Sequence, residues 1–235
     1  MTCCYCRQDK KLIKAHIIPE GFFRRLREEQ NPPKMLTNTP GKYPKTMPIG
    51  VYDKNILCDE CEKIFGVWDE YAQQLLTDEP LHGETILDGT QCIGWRVTEY
   101  DYTRLKLFFI SLLWRGSVSK QDFYRKVNLG SFEEKAKELI VQKNPGTSEE
   151  FGVTLAKFDH PLSSAMLDPH PEKFSRVNYY RFYIASYVAY IKVDKRKAPE
   201  PLSDFLLKEG QPLIIIGRNF TNSAELQLMH SIVKK

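Results

Sequence analysis

Two pairs of cysteines have the spacing of ligands for a single metal ion. Cys3 and Cys6 form one Cys-x-x-Cys pair, and Cys58 and Cys61 form another. A gap of two residues lets both thiolates of a pair reach one tetrahedral ion from a tight turn, and two such pairs make a full set of zinc ligands. Cys4 lies inside the first pair, but only Cys3 leaves the two-residue gap to Cys6. We therefore predict a structural zinc site at Cys3, Cys6, Cys58 and Cys61.

Other uses of the cysteines fit the sequence less well. Met1 is followed almost at once by cysteines, without the basic start and apolar run of an export signal. A disulfide framework is therefore not expected, because the cytosol keeps thiols reduced. Neither pair lies in a thioredoxin-like strand and helix context, which argues against redox pairs. The isolated Cys92 is predicted to be a small buried hydrophobe.

Hydropathy argues against a membrane-spanning segment. The longest apolar stretch, residues 105–114, is interrupted by Lys106 and Ser111 and is about half the length needed to cross a bilayer. We therefore expect a cytoplasmic protein with no membrane partner, in which this stretch is a core helix. With 235 residues, 42% hydrophobic and 27% charged, the chain is long enough for one or two globular domains.

The net charge is unevenly distributed along the chain. The whole sequence carries a formal charge of +4, whereas residues 1–50 hold ten Lys or Arg against four acidic residues, an excess of six positive charges. This excess favours a polyanionic partner, and nucleic acid is the first candidate. The alternative is a solvated face with ordinary surface charge. The predicted nucleic-acid-binding residues are Lys10, Lys11, Lys14, Arg24, Arg25 and Arg27.

Residues 1–78 are predicted to form a zinc-containing finger domain. Proline and glycine separate short apolar runs in this part of the chain. The predicted elements are a strand or hairpin over 11–18, a helix between Pro19 and Pro32, an irregular loop over 31–50, a strand over 51–57 and a helix from Cys58 through Leu76. A turn, a hairpin and a helix that carries the second cysteine pair make a zinc-stapled treble-clef or ββα finger.

Residues 95–235 are predicted to form a second domain of α+β class. The predicted elements are a buried helix over 105–114, a helix capped by Ser131 and Glu134 that reaches Gln142, strands over 151–158, 179–193 and 213–216, and a final helix over 223–233. The aromatic and β-branched residues of the strands predict a small antiparallel sheet of three or four strands. His160 and His170, each beside a proline, are predicted to be loop residues.

Three segments of the N-terminal part occur in a recognisable order. The first cysteine pair is followed by Ala-His-Ile-Ile-Pro at 15–19 and by Asp-Lys-Asn-Ile-Leu-Cys-Asp-Glu-Cys-Glu at 53–62. This order resembles the zinc-containing HNH endonucleases of the His-Me finger class, over residues 3 to 70. Residues 105–115 are also similar to a bacterial group of HNH-like proteins that are often encoded near phage-defence genes, a likeness that carries no chemistry.

The resemblance implies a catalytic site on the finger. In that family a histidine acts as general base, an asparagine orients it, and further side chains hold a divalent cation against the scissile phosphate. The matching positions assign the base to His16, the orienting residue to Asp53 or Asn55, and a ligand for Mg or Mn to Glu62. A neutral imidazole can accept a proton near pH 7, and carboxylates bind hard cations. The sequence departs from the family at Ala15, where a cation ligand is usual.

Two function classes follow from these residues. The first is a metal-dependent endonuclease that hydrolyses phosphodiester bonds of DNA, with a role in phage defence. The second is a catalytically degenerate zinc-finger module that binds nucleic acid or, through its C-terminal domain, a protein partner. Ala15 is the feature that keeps the second class open.

Overall fold

The structure is a computed structural model of mixed α+β architecture that describes residues 1–23, 34–36, 45–46, 50–77, 83–159 and 166–233. The helices are α1 (Asp59–Thr77), α2 (Tyr102–Val118), α3 (Glu133–Gln142) and α4 (Ala224–Val233), with residues 20–23 also helical. The strands are β1 (Ala15–His16), β2 (Lys34–Leu36), β3 (Lys45–Thr46), β4 (Tyr52–Asp53), β5 (Glu84–Asp88), β6 (Gln91–Val97), β7 (Val153–Phe158), β8 (Met166–Leu167), β9 (His170–Phe174), β10 (Val177–Ile184), β11 (Tyr187–Lys192) and β12 (Leu213–Arg218). None of the helices in these ranges has the length and apolar character to span a bilayer.

The main sheet has seven strands in the order β5-β6-β12-β7-β11-β10-β9. Neighbouring strands are antiparallel except β12 and β7, which are parallel. The α+β class is confirmed, but the prediction of a small antiparallel sheet of three or four strands is wrong in size and in strand direction. Most side chains of β5 and β6 are exposed, so this hairpin lacks the hydrophobic alternation that identifies a strand in the sequence.

Two glycines allow β6 and β12 to approach each other. A Cβ atom at Gly94 would lie 2.6 Å from the carbonyl oxygen of Ile215, and one at Gly217 would lie 2.8 Å from the carbonyl carbon of Ile93. Both distances are too short for a real Cβ, so a larger residue at either position would push the strands apart.

Helix α2 is buried on nearly every side, as predicted for residues 105–114. It begins after Asp101, whose carboxylate accepts a hydrogen bond from the Arg104 amide at 2.9 Å and so caps the helix. One hydrophobic cluster joins α2 to α1, α3, the first cysteine turn and the sheet. The division into domains 1–78 and 95–235 stays a prediction, and the described residues on both sides of it share this core.

The prediction of an irregular loop over 31–50 is wrong where the structure describes this segment. Strand β2 pairs antiparallel with β3 and parallel with β8, so the three form a small sheet. Leu36 of β2 is buried in a second hydrophobic cluster with Phe158 and Phe220. Strand β2 forms by pairing with β8, which is distant in the sequence, so the local composition does not predict it.

Three predictions for single residues are also wrong. Ser131 does not cap α3, because the N-cap position is occupied by Phe132 without a side-chain hydrogen bond and Ser131 lies in the preceding 3-10 turn. Cys92 is exposed on β6 rather than buried. His170 begins β9 rather than lying in a loop, and His160 falls outside the described residues. For Cys92 and His170, pairing with neighbouring strands overrides the local pattern.

Candidate functional site

The four predicted zinc ligands lie together near the N-terminus. The Sγ atoms of Cys3, Cys6, Cys58 and Cys61 all lie within 4.8 Å of one another. Zinc–sulfur bonds of about 2.3 Å place the sulfur atoms of a tetrahedral site about 3.8 Å apart, so small side-chain adjustments would close this cluster on an ion. The cysteines are free thiols, and Cys4 lies outside the cluster. The cluster can therefore bind a structural metal such as zinc.

Backbone hydrogen bonds bring the two cysteine pairs together. The Cys4 amide, inside the first pair, donates to the carbonyl of Ile56, just before the second pair, at 2.8 Å. The Cys58 carbonyl accepts the Glu62 amide at 3.0 Å. This bond opens helix α1, so the second pair occupies the start of the helix as the sequence predicts.

The thiols of the cluster have pKa values that are shifted in opposite directions. Burial alone would raise the pKa of Cys3, but hydrogen bonds from the backbone at Cys6, Cys58 and Tyr5 lower it to about 7. Burial raises the pKa of Cys61, and hydrogen bonds among the sulfur atoms raise it further. The Cys3 thiol is therefore more acidic than the Cys61 thiol, and a bound cation would favour the thiolate form of both.

His16 lies on a two-stranded ribbon that leads into α1. Strand β1 pairs antiparallel with β4, with Ala15 opposite Asp53 and His16 opposite Tyr52. The ring centroids of His16 and Tyr52 are 6.0 Å apart in an edge-on arrangement. Because α1 follows β4, the local order is strand, strand and helix, with the half-buried histidine beside the start of the helix.

Side chains from two helices hold the backbone of His16. Its amide donates to Glu62 Oε1 at 3.3 Å, and its carbonyl accepts from Arg115 Nη1 at 2.8 Å. Glu62 belongs to the first turn of α1, and Arg115 lies near the end of α2. The main chain at position 16 is therefore fixed by groups that do not depend on the imidazole.

Glu62 places a half-buried carboxylate beside the backbone of His16. Its Oε2 atom is buried and has no hydrogen-bond partner within the described ranges. Burial raises the pKa of Glu62, and the nearby positive charge of Arg115 opposes this rise. A buried carboxylate oxygen without a donor is stabilised by a proton or by a cation. The assignment of Glu62 as a ligand for Mg or Mn stays a prediction.

Arg115 is a site residue that sequence reasoning missed. Its guanidinium is fully buried and donates to both carboxylate oxygens of Asp69, at 2.7 and 2.6 Å. It also lies over the Phe65 ring, 5.2 Å from the centroid. Arg115 ends the segment 105–115, which was expected to carry no chemistry, yet it contacts the backbone of His16. The available signal was an arginine in an apolar helix, since buried arginines are nearly always paired.

Replacing Arg115 with methionine should lower the free energy of unfolding by about 3–5 kcal/mol, because the Asp69 carboxylate stays buried without its counter-charge. The double variant Arg115→Met/Asp69→Leu removes both charges and should recover most of the loss. Urea unfolding followed by circular dichroism measures both effects. An Arg115→Met protein as stable as the parent would show that the pair contributes nothing to the fold.

The other two predicted catalytic residues, Asp53 and Asn55, differ in burial and in hydrogen bonding. Asp53 is fully buried, and its carboxylate accepts hydrogen bonds from the Asn55 amide, the Ser119 hydroxyl and the Lys120 amide, each at 2.9 Å. These bonds connect β4 to the end of α2. Asn55 is exposed in the turn after β4, and the buried Ala15 offers no ligand atom. The orienting role proposed for Asp53 or Asn55 stays a prediction.

The predicted nucleic-acid-binding residues are only partly described. Lys10 forms an ion pair with Glu60 at 2.5 Å, whereas Lys11 and Lys14 are exposed. The Nζ atom of Lys14 lies 5.2 Å from the ring centroid of Tyr52, so an exposed cation and an aromatic ring lie next to His16. Sequence reasoning did not single out Tyr52. The other three predicted residues lie outside the described ranges: Arg24, Arg25 and Arg27.

Comparisons with protein-family models, with curated proteins and with solved structures found no match to this chain. Only the chemistry of the site therefore bears on the function of this protein. Among the residues that the structure describes, the four cysteines are the only group of three or more side chains placed to share a metal ion.

Proposed function

We propose that this protein is a metal-dependent endonuclease of the HNH type that hydrolyses phosphodiester bonds of DNA and acts in phage defence. The observation that carries the proposal is the arrangement of β1, β4 and α1, which joins the His16 amide to Glu62 Oε1 at 3.3 Å. In this proposal the segment is a treble-clef finger of ββα type, with zinc at the four cysteines as its structural ion.

The proposed chemistry divides between His16 and Glu62. Hydrolysis of a phosphodiester needs a base for the attacking water, and in this proposal His16 takes this proton. A divalent cation, when bound, would supply positive charge for the phosphate oxygens, and Glu62 Oε2 is the atom that would hold it. Magnesium is commonly bound by one or two carboxylates, with water and substrate phosphate completing its shell. A site with Glu62 and without a ligand at Ala15 is therefore sufficient in this proposal.

The surface beside His16 supports a nucleic-acid substrate. Lys14 is exposed and can contact phosphate, while Tyr52 is partly exposed and can stack on a base. Lys14 directly precedes β1, and Tyr52 lies opposite His16 on β4. In this proposal, the nucleic-acid strand therefore passes across β1 and β4.

Purified full-length protein is expected to nick supercoiled plasmid in the presence of magnesium or manganese. Cleavage should stop when chelator is added and return when magnesium or manganese is restored, because the catalytic cation is held by few protein atoms. Added zinc alone should not restore cleavage. The cysteine cluster that binds zinc is a closed four-ligand site, which leaves no open position for substrate. Gel electrophoresis of the plasmid measures the rate. Protein that retains zinc and binds the plasmid but never nicks it would contradict the enzyme proposal.

A nucleic-acid-binding module is the second candidate function. It is favoured by Ala15, which supplies no cation ligand, and by Asp53, whose carboxylate is occupied by three hydrogen bonds. Under this alternative, plasmid binding weakens with salt because the basic residues release counterions from the DNA, and no metal produces cleavage.

A further inference from the structure

A cleft that shares no residue with the histidine site lies between α3 and the end of β11. Its volume is about 400 Å³, and two phenylalanines, five basic side chains and three acidic side chains line it. Small-molecule sites in proteins usually have volumes of about 300–1,000 Å³. The cleft is therefore large enough for one small ligand.

Two acidic side chains of the cleft are neutralised by neighbouring cations. Glu149 accepts a hydrogen bond from the buried Lys192, whose Nζ also donates to the Arg196 carbonyl at 2.5 Å. Asp194 accepts from Arg196 through Nε at 2.8 Å and through Nη2 at 2.6 Å. These bonds fix the turn after β11 and leave neither carboxylate available to repel an anion.

Three basic side chains of the cleft remain. Lys135 lies 3.9 Å from Glu150, the third acidic residue of the cleft. Lys195 and Lys197 are exposed at the cleft, and neither forms an ion pair within 4.0 Å in the described ranges, although the charge of Lys197 helps to lower the pKa of Glu149. The cleft therefore has an excess of two positive charges, located on the turn that Lys192 holds in place.

The apolar wall of the cleft is aromatic. The rings of Phe132 and Phe151 pack edge to face, with centroids 6.2 Å apart, and Phe132 is the more exposed of the two. Phe151 has a φ of 47°, in the left-handed region that bulky residues rarely adopt. Backbone strain of this kind is concentrated at functional sites. The partly exposed Phe132 lines the same cleft as Lys195 and Lys197.

We propose that this cleft binds a mononucleotide, with its phosphate at Lys195 and Lys197 and its base against Phe132. A phosphate monoester carries a charge of about −1.5 to −2 at pH 7, which matches the two unpaired cations. A nucleobase is planar and stacks on aromatic side chains with little dependence on sequence. A phosphate ion alone would leave the aromatic wall unused, and a nucleoside alone would leave the lysines unused.

The test is calorimetric titration of the full-length protein with AMP, adenosine and inorganic phosphate. AMP should bind at one site per chain, and adenosine and inorganic phosphate should each bind about tenfold more weakly or worse, because each uses half of the cleft. The double variant Lys195→Glu/Lys197→Glu should lose AMP binding. The matched control, Lys173→Glu/Arg176→Glu, makes the same charge change at exposed positions of the β9–β10 hairpin and should bind AMP as the parent does.

Phe132→Ala supplies a second variant that keeps the lysines. It should bind inorganic phosphate as the parent does and lose the preference for AMP, because the stacking surface is gone. The proposal is overturned if AMP shows no saturable binding, if adenosine binds as tightly as AMP, or if the Lys195→Glu/Lys197→Glu protein folds and retains parental AMP affinity.

Discussion

Replacing His16 with alanine should abolish DNA cleavage while leaving metal content and thermal midpoint nearly unchanged. Loss of a general base slows a reaction by about a hundred- to ten-thousand-fold. The fold should survive because the hydrogen bonds from position 16 to Glu62 and Arg115 use its amide and carbonyl, which alanine retains. Initial rates of plasmid nicking, zinc content and thermal denaturation measure the three properties on one preparation.

His170→Ala is the matched control for this experiment. His170 is also half-buried, at the start of β9, and its Nδ1 lies 3.2 Å from the Asp168 carbonyl. This variant should cut plasmid at the parental rate. If His16→Ala cuts as fast as the parent, the HNH mechanism is wrong and the binding-module alternative is preferred. If His16→Ala loses zinc or unfolds, the histidine is structural.

Cys58→Ser is expected to release the metal and to loosen the packing of the first cysteine turn. Metal binding and folding are coupled where the ligands come from separate segments. Loss of one thiolate should therefore release the metal and loosen the first cysteine turn together. Tyr5 of this turn packs against Phe65 and Trp114, with centroids 5.3 and 6.1 Å apart, and these contacts depend on the turn staying in place. Zinc content should fall from about one ion per chain toward zero, and hydrogen exchange over residues 1–16 should accelerate.

Cys92→Ser provides the control for the loss of a thiol. Cys92 is exposed on β6, and its Sγ contacts only the Gly94 carbonyl, at 3.5 Å, among its described hydrogen bonds. This variant should keep its zinc and its exchange protection. A parent protein that contains no zinc and is still fully folded would overturn the assignment of the cluster as a metal site.

The parts of the fold that follow from local patterns were predictable. The helix that starts at the second cysteine pair has a periodic apolar face, the helix over 105–114 is apolar on most sides, and the structure confirms both as α1 and α2. The grouping of the four cysteines was also predictable, because the two-residue gap within each pair limits how the thiolates can be arranged.

The parts that depend on distant residues were not predictable. Nothing near Leu36 indicates its pairing with β8. The side chains of β5 are mostly exposed, so this strand has no alternating hydrophobic pattern by which to recognise it. At the candidate site, the family resemblance implies Asp53 or Asn55 as the orienting residue, while the hydrogen bonds of Asp53 to Ser119 and Lys120 come from the far end of α2. Arg115 reaches His16 across the core in the same way. Such contacts are set by how helices pack, which a local pattern does not encode.

The position of β12 has a consequence for folding during synthesis. This strand lies between β6 and β7 in the main sheet, yet it is the last of the seven in the chain. Until residues 213–218 leave the ribosome, the β5–β6 hairpin has no neighbour, and the edges of β6 and β7 remain unpaired. Unpaired edges of this kind are sites of aggregation, and non-local pairing is slow. A nascent chain that stalls before β12 would therefore expose both edges at once, which makes chaperone protection most valuable at this late stage of translation.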